Sequence, residues 1–313
     1  SGVTILALGG LLYPILRGEG YKERFSLGLL TTSGSLGLLF PPSLAILIYG
    51  IVAGVSIEKM FFAGIVPGTL LMIMLAVYSM IYGNKSHVDR HEFDFSTLAA
   101  SIKGCIWDLF LPIGVVTGIF GGYVSIMEAA AATAAYVIIV EVYIYKEINL
   151  RTQFFDLLVE SCILFGSLLA ILLVALGLTN LMIDAQLPMK LLAAIENHIT
   201  SPLQFLLLLN LFLLLVGAMM DIFSALIVVV PLILPLATRY GIDPVHLGII
   251  FLANLEIGYS TPPVGINLFI ASQRFGKNIV ILFKSTLPFL LLMLMWLMMV
   301  TYIPELSLWW NYE

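Results

Sequence analysis

Charge is scarce in this sequence. Lys, Arg, Asp and Glu make up 11% of its 313 residues, where a water-soluble domain carries about 25%. The net charge is only −5 and no basic run is present, so a nucleic-acid partner is not expected. Cysteine is nearly absent. Cys105 and Cys162 both lie in or beside apolar stretches, which argues against a structural disulfide and for two small buried hydrophobes. No GxxxxGK[ST], HExxH or nucleophile-elbow motif occurs, so enzyme chemistry has no anchor and no cofactor is expected. An initiator methionine is also missing. No basic region precedes the first apolar run, so the start at Ser1 reads as a piece of a longer protein rather than a signal peptide.

Apolar residues are abundant instead, at 61%. No water-soluble core could absorb that much apolar surface. Phe25–Ile57, Met60–Asn84, Ser161–Ile183, Ile199–Met220 and Ser285–Pro304 contain no charged side chain. Each is long enough to cross a hydrocarbon core, which needs about 20 residues of helix. Hydropathy and helix breakers predict an all-α polytopic membrane protein. Residues 4–20 form a short helix, 25–52 a span broken at Pro41-Pro42, and 60–83 a full span. Residues 84–103 form a polar loop or surface helix. Spans follow at 104–124, 128–146 and 153–177, then an interfacial stretch at 179–202. Residues 203–219 and 225–240 are two short apolar pieces. Residues 245–272 span but break at Pro262-Pro263, and 280–303 span.

The chain repeats itself. With a shift of 221 and no gap, Pro14 meets Pro235, Gly20 meets Gly241 and Gly37 meets Gly258. Pro41-Pro42 then meets Pro262-Pro263, and Pro67 meets Pro288. Interrupted helices at matching positions of two repeats point to the binding site of a secondary transporter. Arg17, Lys22 and Arg24 place the 17–24 turn in the cytoplasm, and the loops at 84–103 and 146–151 follow. If 203–240 is a re-entrant hairpin, the matching turn at 239–244 lies outside and the repeats are inverted. The domains expected are a first transport repeat (1–83), a cytoplasmic loop (84–103), scaffold helices (104–178), an interfacial arm (179–202) and a second transport repeat (203–304).

Chemistry concentrates at the two breaks. Pro41 and Pro42 donate no N–H and clash with the preceding turn, so carbonyls near Gly37 and Leu38 lose their helical partners. Together with the Ser35 and Ser43 hydroxyls they make an oxygen nest suited to a hard cation such as Na⁺. Gly258 to Asn267 offers a second nest with Thr261 and Asn267. The plain alternative is two kinks made for packing. Asp221 falls between the two short apolar pieces, where a carboxylate at membrane depth is either functional or a helix cap. Its repeat counterpart falls just before Ser1, so Ser1 and Thr4 belong at or beside the first hairpin tip. Glu128 reads as a first-turn acid favouring the helix dipole. Glu256 reads as a site wall or a water-facing residue, and His87 with His91 as a solvated loop rather than a metal site.

These residues resemble one family. Thr4, Gly9 and Pro14 are followed by Arg17-Gly18-Glu19-Gly20-Tyr21, Gly37-x-x-x-Pro41-Pro42-Ser43 and Ala63-Gly64-Ile65-Val66-Pro67-Gly68. Later come Gly241-Ile242-Asp243-Pro244-Val245-His246-Leu247-Gly248 and Thr261-Pro262-Pro263-Val264-Gly265. Together they are similar to the large membrane subunit of tripartite ATP-independent periplasmic (TRAP) transporters, over essentially the whole chain. Ser125-Ile126-Met127-Glu128 departs from the family's usual T-P-T-E there. The resemblance implies a multi-pass protein of the bacterial inner membrane, working as an elevator. It would import a small organic anion, such as a C4-dicarboxylate or sialic acid, with Na⁺ as coupling ion. A small membrane subunit and a periplasmic binding protein would be its partners, in the lipid bilayer. One implied sodium site joins Ser1 to Gly37, Pro41 and Ser43; the other joins Gly217 and Asp221 to Gly258, Thr261 and Val264. The anion would lie between them, near Ser1, Thr4, Ser43, Asp221, Thr261 and Asn267. A stand-alone sodium/dicarboxylate symporter and a non-transporting receptor or scaffold are the competing readings.

Overall fold

The computed structural model describes residues 2–85, 94–149, 152–184 and 201–310, and every regular element among them is helical. The chain divides into two units, Ser1–Asp89 with Ala175–Glu313, and Arg90–Val174.

In the first unit, α1 (Gly2–Gly18) is followed by α2 (Glu23–Ser33), a 3₁₀ turn (Leu36–Leu38), α3 (Leu44–Ala53) and α4 (Ile57–Lys85). Leu44 begins α3 directly after the Pro-Pro pair, with Ser43 as its N-cap, accepting from Ile46 N–H at 3.4 Å. The later half of the unit contains α9 (Pro202–Met219), α10 (Ile222–Arg239), α11 (Pro244–Gly258), α12 (Ile266–Phe275) and α13 (Ile279–Tyr302). Ser201 and Asp243 cap α9 and α11, each ahead of a proline at the first helical position. The second unit holds α5 (Phe95–Gly104), α6 (Ile106–Phe120), α7 (Ile126–Ile139) with a π-helical extension (Val140–Ile144), and α8 (Phe154–Asp184) as far as Val174. There Ser125 and Glu128 form a reciprocal capping box, so Glu128 has a local structural task.

The internal repeat is structural. Shifting the first residues of α1, α2, α3 and α4 by 221 gives those of α10, α11, α12 and α13 to within one residue. Gly20 and Gly241 both take positive φ (89° and 75°), which a side chain would resist, and both Pro-Pro bonds are cis. Contacts between the halves are reciprocal: α1 packs on α12, and α10 packs on α3. Ile5, Leu27, Leu268, Ala271 and Leu282 form one cluster drawn from both halves. Trp296 of α13 donates to the Pro67 carbonyl of α4 at 2.9 Å.

Apolar surface faces outward as well as inward. On α9, Leu203, Leu207, Leu211 and Leu215 are 57–67% exposed at four-residue spacing, while Phe205, Leu209 and Leu213 are buried. A stripe of that kind suits lipid rather than water. Among the described residues α4, α7 with its extension, α9, α10 and α13 are long and apolar enough to cross a membrane. The bent pair α5–α6, at 74°, makes a sixth if it is one span. The chain is therefore a multi-pass membrane protein.

Three expectations need correction. The helix predicted to end at 177 continues as α8 to Asp184, so the start of the expected 179–202 arm is helical continuation; 185–200 lie outside the described residues. Cys162 is exposed on α8, and Cys105 is half-buried at the bend between α5 and α6, so neither thiol lies in a core. Glu256 is fully buried, which removes the water-facing reading.

Candidate functional site

The second break and the second hairpin are built into each other. Met220 and Asp221 are the two residues between α9 and α10, so these helices form an antiparallel hairpin whose tip is this bend. At the tip the Ala218 carbonyl accepts from Val264 N–H at 3.0 Å and Gly265 N–H at 3.4 Å. Backbone meets backbone because neither Gly217 nor Gly258 has a side chain. A Cβ on Gly258 would lie 2.4 Å from the Gly217 carbonyl carbon. On the far side of the tip, Ile222 N–H donates to the Tyr259 hydroxyl at 2.5 Å. Gly217, Asp221, Gly258, Thr261 and Val264 are thus brought to one place by residues that sequence reading had grouped.

Each polar group there has a defined state. Asp221 is exposed and caps α10, its Oδ2 accepting from Phe223 N–H at 3.0 Å and Ser224 N–H at 3.1 Å. Capping occupies one carboxylate oxygen and leaves the negative charge at the tip. Thr261 Oγ1 donates to the Ile257 carbonyl at 2.9 Å, which spends its proton and leaves the lone pairs free to accept or to ligate. The carbonyls that Pro262 and Pro263 cannot engage find other donors: Gly258 accepts from Thr261 N–H and Tyr259 from Asn267 N–H. A carbonyl oxygen has two lone pairs, so each still has one to offer a cation. The donor set is all oxygen, as a hard cation requires.

The first break is arranged differently. Ser43 is buried and acts as a cap, Pro41 is half-buried, and Gly37 is exposed. Ser35 Oγ lies 3.5 Å from the Asn267 side-chain nitrogen, so a buried polar contact links the two breaks. Asn267 is fully buried, and Thr4 is exposed on α1. Ser1, and His87 with His91, lie outside the described residues. The N-termini of α3, α10 and α12 come at Leu44, Ile222 and Ile266, the first two directly after the candidates Ser43 and Asp221, and helix N-termini favour anions.

Three features escaped the sequence reading. Tyr259 falls inside the second break, but its hold on Ile222 needs the fold. Asn254 donates to Asn210 at 2.7 Å, and Asn210 donates to Thr301 at 3.1 Å, tying α11, α9 and α13 together. Asn210 alone interrupts the apolar run from Phe205 to Val216, which was the available signal. The turn between α1 and α2 is clamped by Glu23, which pairs with Lys277 at 2.5 Å and accepts from the Tyr13 hydroxyl at 3.2 Å. The hydrogen bond from Lys277 holds the Glu23 carboxyl below its ordinary range. A separate cavity of about 250 Å³ lies between α6 and α7, lined by Phe110, Val115, Ala132 and Tyr136 among others; its lining carries no charge and offers an anion nothing.

Comparison with known proteins adds a consistent set of matches. Residues 1–306 match the family model described as the tripartite ATP-independent periplasmic transporter, DctM component. The chain is 34% identical over 307 residues to an isethionate TRAP transporter permease protein of Oleidesulfovibrio alaskensis, covering 97% of this chain and 48% of that protein. It is 33% identical over 309 residues to a C4-dicarboxylate TRAP transporter large permease protein of Pseudomonas aeruginosa, covering 98% and 72%. A sialic acid TRAP transporter permease protein of Haemophilus influenzae is 30% identical over 300 residues, covering 96% and 48%. The chain therefore spans about half the length of two of these relatives.

Proposed function

From the premise that this chain belongs to the DctM-component family of tripartite ATP-independent periplasmic transporters, we propose that it is the large membrane subunit of a sodium-coupled importer of small organic anions in a bacterial inner membrane. It catalyses no covalent chemistry in this reading. Relatives named for C4-dicarboxylate, isethionate and sialic acid are what suggests a small acid as cargo. The observation that carries the proposal is the hairpin tip locked onto the Pro-Pro break, with Ala218 accepting from Val264 and Gly265 beside the free charge of Asp221. Carbonyl and hydroxyl oxygens at the tip, with Gly217, Asp221, Gly258, Thr261 and Val264, would ligate one Na⁺. Gly37, Pro41, Ser43 and Ser1 would ligate another. The anion would be held between them, facing the N-termini of α3, α10 and α12 and touched by Thr4, Ser43, Asp221 and Thr261.

The first unit would move as one body, because its halves interlock through α1 on α12 and α10 on α3. Carrying net positive charge inward releases about 2.3 kcal/mol per charge per 100 mV, so Na⁺ in excess of anion charge drives accumulation.

Uptake into liposomes holding both membrane subunits tests the reading. We expect accumulation only with the periplasmic binding protein present and a Na⁺ gradient imposed. Full uptake without the binding protein, at matched protein and substrate levels, would favour a stand-alone symporter. The inverted arrangement is tested by labelling single cysteines at Ser201 and Arg239 with a membrane-impermeant reagent. Both are expected to react from the same side, and reaction from opposite sides would rule out a re-entrant 203–240 hairpin.

A further inference from the structure

A carboxylate on α11 lies outside both sites. Glu256 is fully buried, and neither of its oxygens has a hydrogen-bond partner. It stands twelve residues after Pro244, about 18 Å along the helix. An ionised carboxylate there needs a compensating charge. Among the described residues no cationic side chain pairs with it. The helices packed on α11 are α3, α4, α9, α10 and α13, and their cationic side chains are Lys59, Lys85, Arg239 and Lys284, all within six residues of a helix end.

Two further buried oxygens without partners belong to the break that follows Glu256. Ser260, four residues further on and just past the end of α11, is fully buried with its Oγ unpartnered. Asn267 is folded back onto this turn, its N–H donating to the Tyr259 carbonyl at 3.0 Å. Its side-chain nitrogen is turned to Ser35, and its side-chain oxygen is buried without a partner. Asn254, two residues before Glu256, donates its amide N–H groups to Asn210 of α9 and to the Ile250 carbonyl, and its own side-chain oxygen is buried without a partner. One carboxylate, one hydroxyl and one amide oxygen form a hard donor set of charge −1, which a single monovalent cation neutralises.

We propose that Glu256 is the charged ligand of a further sodium ion, held inside the first unit with Ser260 Oγ and the side-chain oxygen of Asn267. The ion is additional to the two assigned above, although Ser260 and Asn267 come from the second break, and the inference rests on the sodium-coupled reading. The site differs from the hairpin-tip site in being buried and in carrying its own carboxylate.

Equilibrium binding of ²²Na⁺ to the purified complex of both membrane subunits counts the ions directly. Glu256→Gln is expected to bind one Na⁺ fewer per complex than the parent. Glu256→Asp, which keeps the charge on a shorter arm, is expected to keep the count with a half-saturation raised about tenfold. If the glutamine variant does not assemble, the aspartate titration decides, and an unshifted curve overturns the site. An unchanged count in Glu256→Gln overturns it too, making Glu256 a neutral acid. A parent that binds sodium at the tip sites alone would sink only this inference, whereas a parent that binds none would sink the sodium-coupled reading as well.

Discussion

Gly258→Ala is expected to abolish uptake and to lower the thermal stability of the complex. The added methyl would lie 2.4 Å from the Gly217 carbonyl carbon, 2.6 Å from its Cα and 2.8 Å from Ala218 N, all backbone atoms. No rotamer change can relieve a backbone clash, so the hairpin must lift off the break. Lifting it stretches the bonds from Val264 and Gly265 to Ala218. Overpacking of this kind costs about 1–3 kcal/mol. Gly217→Ala should be milder, since its nearest contacts are at 3.0 Å and one is a leucine methyl. Gly18→Ala, at a position with nothing within 4 Å, serves as the neutral control. Melting curves in detergent and uptake in proteoliposomes check the series. Parental uptake by Gly258→Ala would show that the close contact has no part in transport.

Asp221→Asn is expected to raise the Na⁺ concentration for half-maximal uptake about tenfold while leaving stability nearly unchanged. Asparagine caps a helix about as well as aspartate, so the bonds to Phe223 and Ser224 survive and only the charge is lost. Asp221→Ala removes both, and should add about 1 kcal/mol of destabilisation. Thr261→Ala and Ser43→Ala each remove one candidate oxygen beside a Pro-Pro pair and should shift the Na⁺ curve in the same direction. The readout is uptake against Na⁺ concentration, set beside melting temperature for each variant. If all of them keep the parental Na⁺ curve, Asp221 is a cap alone and the assignment of these ligands fails.

Much of the fold was legible because bilayer and backbone impose simple rules. Long charge-free runs marked helices, and the prolines marked where they stop. The 221-residue register could be read from Pro and Gly because those residues fix backbone geometry, whereas leucines in an apolar helix are interchangeable. Boundaries followed caps: Ser43 before α3, Asp221 before α10 and Asp243 before α11. The end of α8 was misjudged because polar residues from Asn180 onward suggested an interface while the backbone remained helical. The thiols of Cys105 and Cys162 were misjudged because in a membrane protein an apolar helix need not have an inside.

The sequence by itself determined that the chain crosses a membrane, that it is built twice, and that two Pro-Pro breaks and one acidic bend interrupt its apolar helices. Those properties follow from residue type and spacing, which local sterics and solvent transfer translate without reference to the rest of the molecule. Tertiary structure decided which of these residues meet. Only the folded chain lays Gly217 on Gly258, sets Tyr259 against Ile222, joins Ser35 to Asn267 across 232 residues of sequence, and closes Glu256 away from water. Such pairings depend on how helices cross, and a crossing is set by the summed packing of many side chains, which no single stretch of the chain encodes.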